Sequence, residues 1–332
     1  MNLKERDGEF QKAFDKETKK IDERLSQLLK GKKPKSLYDP CAYVLKSGGK
    51  HLRGYLVLLA TKVVGGKYSQ AYNAALSVEI LHSFTLVHDD IMDNADKRRG
   101  MPALHVKYDV NTAILAGDSL IAVAYKNLLK DCKVNTVSIL NTFNQSVIDV
   151  CEGQSLDKEF EERLDVTIPE YIQMIEKKTG ALIQMCCSIG GQIGNGNKEQ
   201  LNALKKYGKN LGLAFQLKDD LLDIVGNTKH FGKNVGGDLV EGKKTYMLLK
   251  ALELANKKDK IELNKIIRNS GIKRAEIDKY KELYLKYNVF DIASSEIKQY
   301  TDRAINALKV LPDSIEKERL IWLAQLLIKR KK

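Results

Sequence analysis

The sequence predicts an all-α fold. Apolar residues recur at three- and four-residue steps along almost the whole chain, a spacing that gives a helix one apolar face. Only five prolines interrupt the 332 residues, and no segment alternates apolar and polar residues as a half-buried strand would. Because no Ser/Pro-rich linker or change in composition divides the chain, we expect residues 1–332 to form a single domain.

The periodic segments predict a series of helices with short connections. Their expected ranges are residues 3–30, 37–46, 50–64, 70–95, 110–131, 136–156, 169–190, 198–225, 242–255, 273–290, 291–309 and 314–330. The clearest start belongs to the helix at 169–190, where Thr167, Pro169 and Glu170 form a capping signature. Three stretches are expected to be loops: residues 46–50, 94–102 and 226–242.

The composition indicates a cytosolic protein without a transmembrane segment. Hydrophobic residues make up 43%, enough for a core, yet no run approaches the roughly 18 apolar residues of a membrane span. Residues 1–20 carry charges of both signs, unlike a secretory signal or a transit peptide. The five cysteines lack C-x-x-C spacing, so we expect buried free thiols in a reducing compartment.

The net charge of +13 raises the alternative of a helical nucleic-acid binder. The lysines are spread over nearly every helical segment with glutamates among them, which indicates solvated helix surface and not a stripe following a phosphate backbone. We therefore expect no nucleic-acid partner. The positive charge would also attract small polyanionic substrates.

Two copies of one acidic motif are the most informative feature of the chain. Residues 89–93 read DDIMD, residues 219–223 read DDLLD, and each follows an apolar run on a predicted helix. The first and last aspartates of each copy share one helix face because they are four residues apart. They are Asp89 and Asp93, then Asp219 and Asp223. A lone acidic pair is usually solvated surface, but carboxylates among apolar residues need a cation, and Mg²⁺ on a diphosphate is the first hypothesis.

Two further side chains extend the acidic faces. His82 lies seven residues before Asp89, and Gln216 lies three residues before Asp219. Residues at these spacings fall close to the same side of a helix. We therefore group each with its acidic motif.

Basic residues near the acidic motifs could bind phosphate. Arg98 and Arg99 follow the first motif, and the arginine fork suits phosphate oxygens. A glycine turn at residues 48–50 opens a helix, so Lys50 and Arg53 would flank its free backbone N–H groups. The P-loop spacing is missing here. Taken singly, each segment also fits a surface turn.

Two more basic segments belong to the second half of the chain. Lys178 and Thr179 precede a glycine inside the helix at 169–190, where a kink would aim them into the bundle. Lys233 and Lys243 lie in the glycine-rich segment after the second acidic motif. A basic loop there could close over bound phosphates, and a surface turn is the alternative.

Taken in order, these motifs resemble those of the trans-prenyltransferase family, the short-chain isoprenyl diphosphate synthases. The matching segments span about residues 40 to 250. They are Gly48-Gly49-Lys50 with Arg53, the first acidic motif with Arg98-Arg99-Gly100, Gly117-Asp118, Glu152-Gly153-Gln154 with Asp157, Lys178-Thr179, Phe215-Gln216 and the second acidic motif. Any one of them could arise by chance, but the ordered set is highly specific.

The resemblance implies a fold and a reaction. The fold is the isoprenoid synthase type, a bundle of mostly antiparallel helices around a deep central cavity, usually as a homodimer. The reaction joins isopentenyl diphosphate head-to-tail to an allylic diphosphate (dimethylallyl, geranyl or farnesyl) and releases pyrophosphate. Mg²⁺ assists ionisation of the allylic diphosphate.

The resemblance also assigns roles to individual residues. The metal would be held by Asp89, Asp93 and Asp219, which with Lys178 and Lys233 form the catalytic set. The isopentenyl diphosphate site would comprise Lys50, Arg53, His82 and Arg99. The allylic side would comprise Arg98, Lys178, Thr179, Gln216, Lys233 and Lys243. Asp220 and Asp223 could support the metal site indirectly, through its ligands or through water.

Two positions depart from the family pattern. His51 stands where the family usually has Arg, and Gly54 stands where it often has Pro. His51 is therefore either a weaker phosphate contact or a tolerated replacement, which affects the expected affinity for isopentenyl diphosphate.

The product length is expected to depend on bulk just before the first acidic motif. Phe84 and Thr85 lie five and four residues before Asp89, and this pair resembles the archaeal-type geranylgeranyl and farnesyl diphosphate synthases. We expect mainly a C20 product, with C15 as a second product.

Two other functions share part of this pattern. A class I terpene cyclase also has an Asp-rich helix, but it normally has a different second motif and needs no isopentenyl site. A non-catalytic subunit of a heteromeric prenyl synthase typically loses one Asp motif, whereas both are complete here.

Overall fold

A computed structural model describes residues 3–226 and 235–329, and this part of the chain is almost entirely helical. Its helices are α1 (Leu3–Leu28), α2 (Lys35–Leu45), α3 (Leu52–Val63), α4 (Tyr72–Met92), α5 (Leu104–Lys107), α6 (Val110–Asp131), α7 (Thr136–Glu162), α8 (Ile168–Ile175), α9 (Ala181–Ile193), α10 (Lys198–Val225), α11 (Gly237–Val240), α12 (Tyr246–Leu254), α13 (Lys257–Arg268), α14 (Ile277–Lys286), α15 (Val289–Ala307) and α16 (Ile315–Lys329). Two very short strands, β1 (Lys97–Arg98) and β2 (Met101–Pro102), pair in an antiparallel hairpin. The all-α prediction is confirmed.

One predicted helix is interrupted. The segment expected as a single helix at 169–190 consists of α8 and α9 joined by a π-helical turn, Glu176–Gly180. Its start is as predicted, because the Thr167 side chain accepts a hydrogen bond from the Glu170 N–H and the Glu170 carboxylate accepts one from the Thr167 N–H. The predicted irregularity around Lys178 therefore takes the form of a π turn, a local widening often found at functional sites.

Four other predictions need correction. The helix predicted at 136–156 continues to Glu162, α11 lies within the loop predicted at 226–242, the helix predicted at 242–255 begins only at Tyr246, and α13 was not predicted at all. The sequence of α13 is rich in lysine, and only Asp259, Leu263, Ile266 and Ile267 are buried, so its apolar face is narrow. The sequence does mark the start of α13 with a capping residue, Asn256. Its side chain accepts a hydrogen bond from the Asp259 N–H at 2.9 Å.

The chain forms two compact units, each built from separate stretches of sequence. The first comprises Met1–Phe143, Met185–Leu204 and Val310–Trp322, and the second comprises Asn144–Gln184, Lys205–Lys309 and Leu323–Lys332. A single domain remains a prediction.

In the first unit, α3 is buried along most of its length. Every residue from Gly54 to Thr61 is buried, and α3 packs against α1 and α4. A Cβ at Gly190 of α9 would lie 2.4 Å from the Val57 carbonyl oxygen, so α9 approaches α3 through a position that only glycine can fill. The α4 helix also packs against α6. This framework holds the start of α3 and the end of α4, which carry the first set of predicted site residues.

In the second unit, a continuous apolar core joins α8, α10, α12, α13, α14 and α15. Its fully buried members include Leu217, Met247, Leu263, Tyr284 and Val289. The core fixes α10, which carries the second acidic motif, against α8 and the π turn. Within the described residues, no helix is long and apolar enough to cross a membrane.

Candidate active site

The glycine turn before α3 lies against the arginine hairpin. A Cβ at Gly49 would come within 3.0 Å of Arg99 Nη1 and 3.1 Å of Arg99 Nη2, so the guanidinium rests on the backbone of the turn. Arg99 and Gly100 both have positive φ, 53° and 78°, which form the tight bend between β1 and β2. Two motifs far apart in sequence thus meet in the first unit.

The residues predicted for isopentenyl diphosphate form one positively charged cluster. The pKa of His82 is lowered well below its ordinary value, first because the ring is desolvated and then because Arg53, Arg99 and Arg98 are close. Arg53 Nε is buried and has no hydrogen-bond partner among the described residues. Lys50 lies exposed in the adjoining turn. A neutral imidazole surrounded by guanidinium groups can donate to an anion without adding charge repulsion of its own.

Arg98 is held by the central aspartate of the first acidic motif. Its Nε lies 2.8 Å from Asp90 Oδ1, its Nη2 bonds the same oxygen, and the Asp90 side chain is buried. Asp89 is partly exposed, and Asp93, the C-cap residue of α4, is exposed. This difference in burial between Asp89 and Asp90 could not be predicted from the sequence, because they are identical residues at adjacent positions.

The second acidic motif shows the same division. Asp220 is buried, and its carboxylate accepts hydrogen bonds from the Tyr171 hydroxyl and, at 2.8 Å, from Gln216 Nε2. The Thr179 hydroxyl donates to Gln216 Oε1 at 2.8 Å. Thr179, Gln216 and Asp220 therefore form one hydrogen-bonded chain, which Tyr171 closes. Sequence reasoning missed Tyr171, because nothing in its neighbourhood marks it as a partner of α10.

A second acid, which is partly buried, lies beside this network. Asp238, the second residue of α11, has its pKa raised to about 8, first by burial and then by the charges of Asp220 and Asp223. Burial also raises the pKa of Asp220 to about 6. Asp223 Oδ2 accepts from the Asp238 N–H at 3.0 Å. A site that raises the pKa of two carboxylates in this way favours the approach of a cation.

Two predicted lysines are held by acidic neighbours. Lys178 Nζ lies 2.6 Å from Asp157 Oδ2, and Lys243 Nζ lies 2.8 Å from Glu241 and 3.8 Å from Asp238. A Cβ at Gly153 would lie 2.2 Å from the Lys178 nitrogen, so the π turn touches α7 where only glycine leaves room. Lys233 lies outside the described residues.

The predicted chain-length residues lie on α4 beside a histidine. Phe84 is buried and its ring meets the His88 ring edge-on, with centroids 4.7 Å apart. A Cβ at Gly117 would come 2.3 Å from His88 Nε2, so α6 leaves room for this ring only because residue 117 is glycine. Thr85 is partly exposed, and its hydroxyl donates to the His82 carbonyl at 2.8 Å.

The donor set suits a hard divalent cation that shares its ligands with a substrate. Within residues 3–226 and 235–329, no group of three or more His, Cys, Asp or Glu is arranged to hold a metal by itself. Each acidic motif instead offers carboxylate oxygens four residues apart. Mg²⁺ is commonly bound through one or two carboxylates together with substrate phosphates.

Comparison with known proteins identifies the family. A family model described as polyprenyl synthetase matches residues 34–284. The chain belongs to the polyprenyl synthetase family. As a family member it is a prenyltransferase, and the fold and family predicted from the ordered motifs are confirmed.

The family's relatives match over nearly the full chain. The geranylgeranyl diphosphate synthase of Saccharolobus solfataricus is 40% identical over 307 residues, which cover 90% of this chain and 91% of the relative. The geranylgeranyl pyrophosphate synthetase of Pyrococcus horikoshii is 36% identical, with a TM-score of 0.90 over 97% of this chain and 99% of that one. A polyprenyl synthase from Caulobacter crescentus, solved with calcium and isoprenyl diphosphate, is 27% identical, with a TM-score of 0.87 over 99% and 98% of the two chains.

Proposed function

We propose that this chain condenses isopentenyl diphosphate with dimethylallyl, geranyl and farnesyl diphosphate, giving mainly geranylgeranyl diphosphate and some farnesyl diphosphate. The observation that carries the proposal is the cluster of Arg53, His82 and Arg99 at the glycine turn. A terpene cyclase needs a diphosphate site at its Asp-rich motif but has no use for this additional one. The names of the curated relatives support the same reaction.

The cationic side chains would receive both diphosphates. Lys50, Arg53, His82 and Arg99 are assigned to isopentenyl diphosphate, and Arg98 with Lys178, Thr179, Gln216, Lys233 and Lys243 to the allylic diphosphate. Lys178 and Lys243 would exchange part of their contact with Asp157 and Glu241 for phosphate oxygens. Such preorganised positive charge stabilises the departing pyrophosphate more than the bound substrate, which lowers the barrier to ionisation. The alkene of isopentenyl diphosphate then attacks the allylic cation, and we assign proton removal to the released pyrophosphate.

Mg²⁺ is the proposed cofactor, held by Asp89, Asp93 and Asp219. When bound it would act as a Lewis acid on the allylic diphosphate. Asp90 and Asp220 would keep neighbouring groups in place, since their carboxylates are already bound to Arg98 and to Tyr171 with Gln216. Asp223 would orient α11 through the Asp238 N–H.

We propose a cytosolic homodimer. The five cysteines are free thiols, as expected in a reducing compartment, but only Cys41, Cys186 and Cys187 are buried as predicted, whereas Cys132 is partly exposed and Cys151 is exposed. On α6, the large apolar side chains of Ile114, Leu115 and Leu129 are exposed. A second copy of the chain would cover these side chains. Light scattering of the full chain, compared with Leu115→Lys, tests this assembly.

The condensation itself is tested with labelled isopentenyl diphosphate, Mg²⁺ and each allylic diphosphate in turn. Labelled products of increasing length are expected with all three starters. Hydrocarbon released from geranylgeranyl diphosphate alone would support a cyclase. No product from any starter would support a non-catalytic subunit.

Arg99→Gln is expected to raise the KM for isopentenyl diphosphate about tenfold or more, because a charged hydrogen bond to phosphate contributes roughly 1.5–3 kcal/mol. The KM for the allylic substrate should change little. Steady-state kinetics with each substrate varied in turn measures both constants. Lys97→Gln, which changes an exposed charge on the same hairpin, is the matched control. Equal increases in both KM values would contradict the assignment.

A further inference from the structure

The buried residue His51 lies at the start of α3 with both ring nitrogens against carboxylates. Nδ1 is 3.2 Å from Glu79 Oε2, and Nε2 is 2.9 Å from Asp22 Oδ1. Both ring nitrogens are therefore engaged by carboxylates. His51 also has a φ of 46°, and a residue with a side chain stays in that region only where its surroundings determine the conformation.

The two contacts define the protonation state of the ring. An ionised carboxylate only accepts hydrogen bonds, so both ring nitrogens must carry a proton, which makes the ring an imidazolium. Burial alone lowers the pKa of His51, but the hydrogen bonds and charges of Glu79 and Asp22 outweigh it and raise the pKa above 6.5. Burial alone raises the pKa of Glu79, but His51, the Gly54 N–H and Arg53 together outweigh it, so the pKa is lowered.

The other oxygen of Glu79 holds the next turn of the same helix. Oε1 accepts from the Gly54 N–H at 2.8 Å. A Cβ at Gly54 would lie 2.9 Å from Ile21 Cδ1 and 3.2 Å from the Ala75 carbonyl oxygen. A proline at this position would lack the N–H and would fill that space. The two departures from the family pattern, His51 and Gly54, therefore serve the same carboxylate.

We propose that His51 is a positioning residue: its imidazolium joins Glu79 of α4 to Asp22 of α1 and thereby holds the start of α3, so that Lys50 and Arg53 are presented to isopentenyl diphosphate. The proposal rests on the proposed function of that site. Asp22, His51 and Glu79 together form a clamp on the start of α3. Arg53 lies between His51 and Gly54, the two residues that Glu79 binds, so loosening of the clamp displaces the Arg53 guanidinium directly.

The clamp makes binding of isopentenyl diphosphate dependent on pH. The charged and titratable groups around His51 are Asp22 on α1, Arg53 on α3, Glu79 and His82 on α4, and Arg99 on the hairpin. His82 stays neutral at neutral pH because its pKa is well below 6.5. As the pH rises through the raised pKa of His51, the ring loses one proton and one carboxylate contact. The stabilising contribution of the protonated ring is complete below pH 6.5 and is lost above the raised pKa that His51 has in the folded protein.

Asp22→Asn tests the proposal without touching a phosphate-binding residue. Asp22 is half exposed, and its replacement removes one of the two charges that raise the pKa of His51. The KM for isopentenyl diphosphate should rise with pH in the wild-type chain and begin to rise at lower pH in Asp22→Asn. The kcat and the allylic KM should remain unchanged. Asp15→Asn, which alters an exposed aspartate on the same helix, should behave as wild type.

Two further measurements distinguish a positioning role of His51 from a direct contact with phosphate. An NMR titration of the five histidines, with His51 assigned from its lost signal in His51→Gln, should show its pKa falling in Asp22→Asn. His51→Arg should raise the KM for isopentenyl diphosphate, because a larger side chain overpacks a buried site.

Three results would overturn the positioning role. They are identical pH profiles for wild type and Asp22→Asn, an unchanged pKa of His51 in Asp22→Asn, and a lower KM in His51→Arg, which would indicate a phosphate contact. If the wild-type chain makes no product, the proposed function falls instead and the role with it. The NMR titration would then still show whether the bridge between Asp22 and Glu79 exists.

Discussion

Asp89→Asn is expected to lower kcat by about 10²–10³, the loss typical of removing one preorganised charge that stabilises a transition state. The change keeps the shape of the side chain but removes an anionic oxygen from a pair that we assign to Mg²⁺. The Mg²⁺ concentration needed for half-maximal activity should rise as well. Steady-state rates over a Mg²⁺ titration measure both effects.

The same substitution at the adjacent Asp90 provides a comparison with Asp89→Asn. Asp90 is buried and bound to Arg98, so Asp90→Asn should lower the melting temperature more than Asp89→Asn does. Asp302→Asn, which disrupts an exposed pair with Lys298, should change neither rate nor stability appreciably. An Asp89→Asn variant with normal Mg²⁺ dependence would rule out the metal assignment.

Phe84→Ala is expected to shift the products beyond geranylgeranyl diphosphate. The buried ring lies edge-on to His88, and its removal opens space at the position that we assign to the end of the growing chain. The same truncation should cost about 3–5 kcal/mol of stability, as for other buried phenylalanines. Chromatography of labelled products, at a temperature where the variant is folded, measures the shift.

A second truncation separates product length from stability. Phe10→Ala removes another buried aromatic ring of the first unit, one that packs on Trp322 in a different place. It should lose comparable stability with an unchanged product distribution. If Phe84→Ala and Phe10→Ala give the same product lengths, Phe84 does not limit the chain.

Much of the fold could be predicted because helical periodicity is a local property. The capping box at Thr167 and Glu170 could be predicted for the same reason, because its two partners are three residues apart in sequence. The missed helix α13 shows the limit of this approach. Its buried face is only a few residues wide, and its stability comes from packing in the apolar core of the second unit, which local sequence does not display.

The candidate site was predictable as a set of residue types but not as a set of partners. The order of the motifs brought Arg53, His82 and Arg99 into one prediction, and the structure places them close together. Tyr171 and Asp238 went unnoticed because they act through contacts with residues far away in sequence. Lys178 was expected to point at a substrate, and in the structure its Nζ contacts Asp157 Oδ2.

The sequence alone determined the helical class and the family, because periodicity, residue type and order are all readable along the chain. Only the tertiary structure decided which aspartate of each motif is buried. Asp89 and Asp90 are the same residue, and they differ because one helix face meets Arg98 while another remains partly exposed. The same holds for His51, which the sequence left as either a weaker phosphate contact or a tolerated replacement, and which packing placed between two carboxylates. Burial and electrostatic partners depend on residues distant in sequence, so they appear only once the chain has folded.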